Sequence, residues 1–334
     1  MRLRLPRAFL NYACQRTLVC CRAPMRAPLG EGETGRIRGL LERAGGGAVH
    51  LAEVLDGHLE THRGALMIAQ PRGACPLLGD PPACRLQEAA GLAALPEGCH
   101  SFPRSVVERD DGVFEVAFSL RCPTAAGMLI ASEAPFELVE VATPGWPYPP
   151  RAPDPEAGPP EPGIDALRAA WWRVLAEAGA DGQAVIETLA ALAESPSHPR
   201  PRPTGTCAAV EAGVANPRIG EVQRAIDTIP GRGPVYARFG WSIWGALHQP
   251  RTVARLGAMA GLAPRHAVAA ASSWLQHARV HDPRPFAGGA GIAVQRTLAA
   301  VRLADCFRSL LPVSPAEAWR DALIACAHLD PRWQ

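Results

Sequence analysis

Seven of the ten cysteines in this 334-residue chain fall within its first 122 residues: Cys14, Cys20, Cys21, Cys75, Cys84, Cys99 and Cys122. The other three, Cys207, Cys306 and Cys326, are scattered. No other feature limits the fold as strongly. Thiols gathered in one region are joined as disulfides, bound to a metal, or buried as small apolar groups. The opening "MRLRLPRAFLNYACQRTLVCC" has a basic start. Its apolar stretch is short and broken, and no A-x-A site follows, so it does not read as a secretory signal. The expected location is the cytoplasm, where clustered cysteines point to metal ligation more than to disulfides. A disulfide framework would need an export route.

The centre of the cluster is "CPLLGDPPACRLQ", residues 75–87. Cys75 and Cys84 flank a turn built from Gly79, Asp80, Pro81 and Pro82, which would bring the two thiols together. A short helix over 85–95 then returns the chain to Cys99. Cys14 and the pair Cys20 and Cys21 would complete the shell. Adjacent side chains tend to diverge, so only one of Cys20 and Cys21 is expected on a given ion. Thiolate sulfur is a soft donor suited to zinc and iron, and a tetrathiolate site needs four such ligands. The spacing is neither that of a zinc finger nor that of an ordinary ferredoxin.

Length suggests on the order of two domains, and a hydrophobic content of 48% supplies real cores. The fold class expected is α+β and mostly helical. Residues 1–142 read as a small cysteine-cluster metal-binding domain with a short β-hairpin. Within it, 31–44 and 49–62 carry helical periodicity around the glycines at 45–47. Residues 105–120 form the hairpin, turning at Asp111-Gly112. A helix begins at Pro123, and 136–142 is a strand. Residues 143–163 are a proline-rich linker. Residues 164–334 form an all-α domain interrupted by a second proline-rich break at 195–204. Its last helix carries Ser314 as N-cap and Glu317 at the capping-box position.

Three segments resemble the flagellin lysine N-methylase family and the related YkgJ-type cysteine-cluster proteins. "CPLLGDPPACRLQEAAGLAALPEGCHSFPR", 75–104, is similar to the central motif of that family. "YACQRTLVCC", 12–21, resembles its opening cluster, and "LRCPTAAGMLI", 120–130, its later cysteine-proline segment. The resemblance implies an iron–sulfur or zinc centre held at Cys14, Cys20, Cys21, Cys75, Cys84 and Cys99, with Cys122 matching a further family cysteine. For the methylase branch it implies methyl transfer from S-adenosylmethionine to lysine side chains of flagellin or another protein. The chain departs from the pattern at the opening cluster, which is one cysteine short. It departs also at His100, which stands where the family has arginine, and at Thr124 and Gly127. The alternative reading is a non-enzymatic metal-chelating or partner-binding module with a structural centre.

Composition and motifs exclude several other classes. A net charge of +2 gives no broad nucleic-acid footprint. No apolar run is long enough to span a membrane. All 34 basic residues are arginine, so the chain has no lysine for Schiff-base chemistry. His58 and His62 are expected on one helical face with Glu60 between them, an order that does not make a zinc protease. The glycines in 43–54 and 286–295 lack a preceding strand, so neither makes a Rossmann-type cofactor cradle. Trp171, Trp172, Trp241, Trp244 and Trp274 read as core anchors, and Cys326 and His328 as structural. There is no P-loop and no nucleophile elbow.

Overall fold

Alternating and helical periodicities both become regular structure in the computed structural model, which contains helices and strands as expected of an α+β protein. The structure describes residues 1–143, apart from 23–26, 63, 71–73, 81–82, 109–110 and 135–136. It also describes 311–329 and scattered positions between 173 and 310. The proline-rich linker, most of the expected helical domain, the five tryptophans named above, the 286–295 glycines and Cys207 lie outside the described residues. Two compact units are resolved: Met1–Ala13 with Arg104–Leu329, and Cys14–Pro103 with Asp330–Gln334. All six proposed ligand cysteines belong to the second unit, and Cys122 to the first.

In the first unit, "RLRLP" forms strand β1 (Arg2–Pro6). Successive strand side chains point to opposite faces, so Leu3 and Leu5 are buried while the arginines lie on the other side. Arg4 binds Glu140 through Nε at 2.9 Å and Nη2 at 2.6 Å, and reaches Asp111 at 3.1 Å. The basic opening is therefore a sheet strand with paired arginines. The expected hairpin is present as β5 (Arg104–Glu108) and β6 (Val113–Phe118), antiparallel with Val106 opposite Val116. Gly112 accepts the left-handed φ of +69° that the turn requires. Strand β7 (Leu138–Ala142) closes a sheet ordered β5-β6-β1-β7, in which β1 runs parallel to β6 and antiparallel to β7.

Two α-helices of this unit lie wholly among the described residues. The first, which we label α6 in chain order, spans Pro123–Ala131 and starts with proline, whose missing N–H costs nothing there. It buries Ala125, Ala126, Leu129 and Ile130. The last, α7 (Pro315–Leu329), packs against it and buries Trp319, Leu323 and Cys326. The expected capping box is made: Glu317 N donates to Ser314 Oγ at 3.3 Å, and Ser314 N to Glu317 Oε2 at 3.0 Å. The buried Arg121 donates from Nε to the Ala327 carbonyl at 3.0 Å, satisfying an acceptor near the end of α7.

The second unit begins with the one-turn helix α1 (Val19–Arg22) and the two-residue strand β2 (Ala27–Pro28). Helices α2 (Glu33–Ala44) and α3 (Ala48–Asp56) follow, joined by the left-handed Gly45 and Gly46. Ile37, Leu41, Leu51 and Leu55, at helical spacing, form their shared core with Ile68, Leu77 and Leu86. The expected helix over 49–62 stops at Asp56, before Gly57. Residues Leu59–His62 are instead strand β3, paired with β4 (Ala65–Ile68) through a tight turn containing the left-handed Gly64. His58 and His62 therefore do not share a helical face. His58 donates from Nδ1 to the Val54 carbonyl at 2.8 Å, while His62 pairs across the hairpin with Ala65. Among the described residues, no helix is long and apolar enough to cross a membrane.

Candidate metal centre

The approach to the double cysteine is bent. Arg16 and Leu18 have φ of 51° and 58°, left-handed values that L side chains adopt only at a cost of about 1–2 kcal/mol. That bend starts α1, because the Leu18 carbonyl accepts Cys21 N at 3.0 Å and Arg22 N at 3.1 Å. Within α1 the Sγ atoms of Cys20 and Cys21 stand 4.0 Å apart. The expected divergence of these side chains is not observed. Two thiolates on one tetrahedral zinc stand about 3.8 Å apart, given Zn–S bonds of about 2.3 Å, so the pair is close enough to share an ion. Cys14 lies before the bend, exposed, and its sulfur accepts Arg16 N at 3.4 Å.

The central loop is tied to this helix by a backbone bond from Cys75 N to the Cys21 carbonyl at 2.6 Å. The loop then folds back on itself. Leu78 and Cys84 form an antiparallel bridge, Gly79 N donates to the Ala83 carbonyl at 2.8 Å, and Arg85 N to the Leu77 carbonyl at 2.9 Å. Cys84 is the N-cap of α4 (Arg85–Ala90). The expected helix to residue 95 is broken at the left-handed Gly91, and Leu92–Ala94 continue as a 3-10 turn. Cys99 sits in α5 (Glu97–Ser101). Cys75 and Cys84 are half-buried against the α2–α3 core, while Cys99 retains solvent-accessible surface.

The thiol electrostatics tie these segments together. A hydrogen bond from Cys21 lowers the Cys20 thiol to about 7 against the opposing effect of burial, while Cys21, its donor, is raised correspondingly. Burial raises Cys75, with Cys84 and Cys20 adding to the rise. Burial also raises Cys84, with Cys20 and Glu88 adding. Cys99 is raised well above the ordinary thiol range, first by the protein packed around it and then by Cys75, Cys20 and Cys84. Four thiols from three separate stretches act on one another, and a fifth touches the first. As neutral thiols they pack like small apolar groups. As thiolates they repel, and a cation among them would reverse that penalty. Among the described residues, no group of three or more His, Cys, Asp or Glu side chains is already arranged to hold a metal ion.

His100, which departs from the family pattern, and Cys122, which matches a further family cysteine, have partners of their own. His100 donates from Nε2 to the Leu92 carbonyl at 2.8 Å and so braces the 3-10 turn. Cys122 is buried in the other unit as the N-cap of α6, hydrogen-bonded to the Tyr12 hydroxyl at 3.4 Å. In turn, the Arg104 guanidinium lies 4.6 Å over the Tyr12 ring.

The residues that position the Cys99 segment were not legible as motif residues. A Cβ on Gly98 would lie 2.5 Å from Pro28 Cδ, so only glycine lets α5 approach β2 this closely. Glu33, in the first turn of α2, accepts the backbone N–H of Glu97. An acidic residue in a first helical turn is an ordinary capping signal. Its second task depends on where Glu97 lies in space. Compared with known proteins, the chain matches no family model, no curated protein and no solved structure.

Proposed function

We propose that the Cys14–Pro103 unit binds a metal centre through its thiolates, an iron–sulfur cluster with zinc as the alternative. Cys20, Cys75, Cys84 and Cys99 are the core ligands, Cys21 stands beside Cys20, and Cys14 completes the set of six. The observation that carries this reading is that the Cys20 and Cys21 sulfurs stand 4.0 Å apart on a helix whose Cys21 carbonyl accepts Cys75 N from a stretch over fifty residues away. Four soft sulfur donors are what either centre needs. Such a centre supplies structural cross-linking and, as an iron–sulfur cluster, electron transfer. The reading places the protein in the cytoplasm, where thiols stay reduced.

The further step, methyl transfer from S-adenosylmethionine to a lysine of flagellin or another protein, is proposed on the resemblance of three segments alone. No cofactor cradle accompanies it among the described residues, since the glycines at 45–47 join two helices. A metal-chelating module without enzymatic activity is the competing proposal. Anaerobic purification followed by iron, zinc and acid-labile sulfide analysis tests the centre. Broad visible charge-transfer absorption with stoichiometric sulfide is expected for a cluster, and metal-free protein under these conditions would sink the proposal. Calorimetry of the reconstituted protein with S-adenosylmethionine separates the two functional readings, since only the methylase binds it.

A further inference from the structure

Outside the thiols, one polar arrangement grips the same loop from a distance. The Glu33 carboxylate, largely enclosed, accepts Glu97 N at 2.9 and 3.1 Å on its two oxygens. It also accepts Gly30 N at 2.9 Å and an Arg36 N–H at 2.6 Å. Arg36 extends the grip: it donates to the Leu95 carbonyl at 3.0 Å and to the Ala93 carbonyl. Residues 93, 95 and 97 are thereby fastened to α2, and Gly98 is seated against Pro28. Cys99 is the next residue.

Near the start of α2 itself, Glu33 needs only its bonds to Gly30 and Arg36. The bond to Glu97 crosses 64 residues and does nothing for α2 itself. It satisfies an N–H at the start of α5, a five-residue helix too short to be stable alone. Charge-assisted bonds are roughly twice as strong as neutral ones, so this clamp is well suited to fixing a thiol's position.

We propose that Glu33, assisted by Arg36, is a positioning residue for Cys99, holding the 93–99 segment against α2 so that this thiol reaches a metal shared with Cys20, Cys75 and Cys84. The inference rests on the metal-centre reading and adds to it a residue that no cysteine pattern identifies.

The test is cobalt(II) titration of the metal-free full-length protein, comparing wild type with Glu33→Ala, Glu33→Gln, Arg36→Ala and Cys99→Ser. Thiolate-to-cobalt charge-transfer intensity per bound ion counts sulfur ligands. Glu33→Ala should match Cys99→Ser, one thiolate below wild type. Glu33→Gln, which keeps an acceptor oxygen, should recover most of the loss. If Glu33→Ala lowers the loaded fraction but leaves the intensity per cobalt at the wild-type value, Glu33 is only structural and the inference fails. Should Glu33→Ala not fold, Arg36→Ala carries the same readout, because it releases residues 93 and 95 while leaving the Glu33 bonds to Gly30 and Glu97 in place. Absence of any thiolate band in wild type overturns the metal-centre reading itself. The metal-free arm then decides for the clamp: iodoacetamide labelling of Cys99 should rise several-fold in Glu33→Ala while that of Cys75 does not, and parallel or absent changes refute it.

Discussion

The two compact units are held together in different ways. The Met1–Ala13 and Arg104–Leu329 unit rests on a four-stranded sheet and on helices whose apolar faces are almost completely enclosed. The Cys14–Pro103 unit has a real core in α2 and α3, but Cys20, Cys21 and Cys99 sit in helices of four and five residues, and Cys84 caps one of six. Helices that short do not persist on their own hydrogen bonds. Helix α4 buries Leu86 in that core, while α1 and α5 are held by a backbone bond between Cys75 and Cys21, by the Glu33–Arg36 clamp, and by Gly98 packed on Pro28. Apolar burial is non-directional and tolerates adjustment. A clamp of single polar contacts places a group accurately and yields when one member is lost.

The largest expected effect falls on the second unit alone. Cys84→Ser should abolish stoichiometric metal binding and make residues 14–103 the preferred site of limited proteolysis, because structural metal binding of about 10 kcal/mol or more is coupled to folding. Cys207→Ser should keep full metal content. Metal analysis of both variants checks the contrast, and equal retention would show that the ligand assignment is wrong.

The converse substitution is Trp319→Ala, at a side chain only 1% exposed in α7. It should destabilise the protein by about 3–5 kcal/mol while the metal content of the folded fraction stays at the wild-type ratio. Denaturant melts and metal analysis on the same samples read both quantities. A parallel fall in metal per folded molecule would erase the distinction between the units.

Gly98→Ala sharpens the comparison at one contact. The added Cβ would collide with Pro28 Cδ and the Pro28 carbonyl oxygen, at a cost of about 1–3 kcal/mol by analogy with overpacked cores. The loss should appear as a lowered thermal midpoint together with weaker metal retention under a chelator.

The smallest effect is a pH dependence. Cys20 is depressed to about 7 in the folded chain, below the usual thiol value. Its contribution to stability is therefore fully present above the unfolded-state pKa of about 8.5 and lost as pH falls through about 7. Because Cys20 and Cys21 share a proton, the first ionisation belongs to the pair. In metal-free protein, alkylation of this pair should reach half its plateau near pH 7 and precede that of Cys75 and Cys84. A midpoint at the ordinary thiol value would refute the coupling.

Much of the fold was legible because its hydrogen bonds are local. The β5–β6 hairpin turns at Asp111-Gly112, where the chain supplies a residue free to adopt positive φ. Helix α6 starts at Pro123, and α7 closes its own capping box with Ser314 and Glu317. In each, the partners lie a few residues apart, so periodicity and cap chemistry suffice. The reading failed where the partners were distant. "RLRLP" alternates as a strand should, yet its neighbours β6 and β7 are more than a hundred residues away in sequence. "LETH" continued a helical pattern until pairing with "ALMI" across Gly64 prevailed. The site divides in the same way. Residue chemistry singled out Cys75, Cys84 and Cys99, but it did not reveal Glu33, Arg36 or Gly98, whose roles exist only once α5 lies against β2 and α2.

The sequence by itself determined which side chains can act as soft donors, where local turns and caps must fall, that apolar periodicity suffices for α2, and that Pro123 starts α6. Tertiary structure alone decided that Cys20 and Cys21 stand 4.0 Å apart, that Cys122 belongs to a different unit from the other clustered thiols, and that a carboxylate on α2 fixes the helix bearing Cys99. The physical reason is range. Backbone preferences act over a few residues, whereas burial, repulsion among thiols and polar clamps depend on separations that exist only in the folded chain.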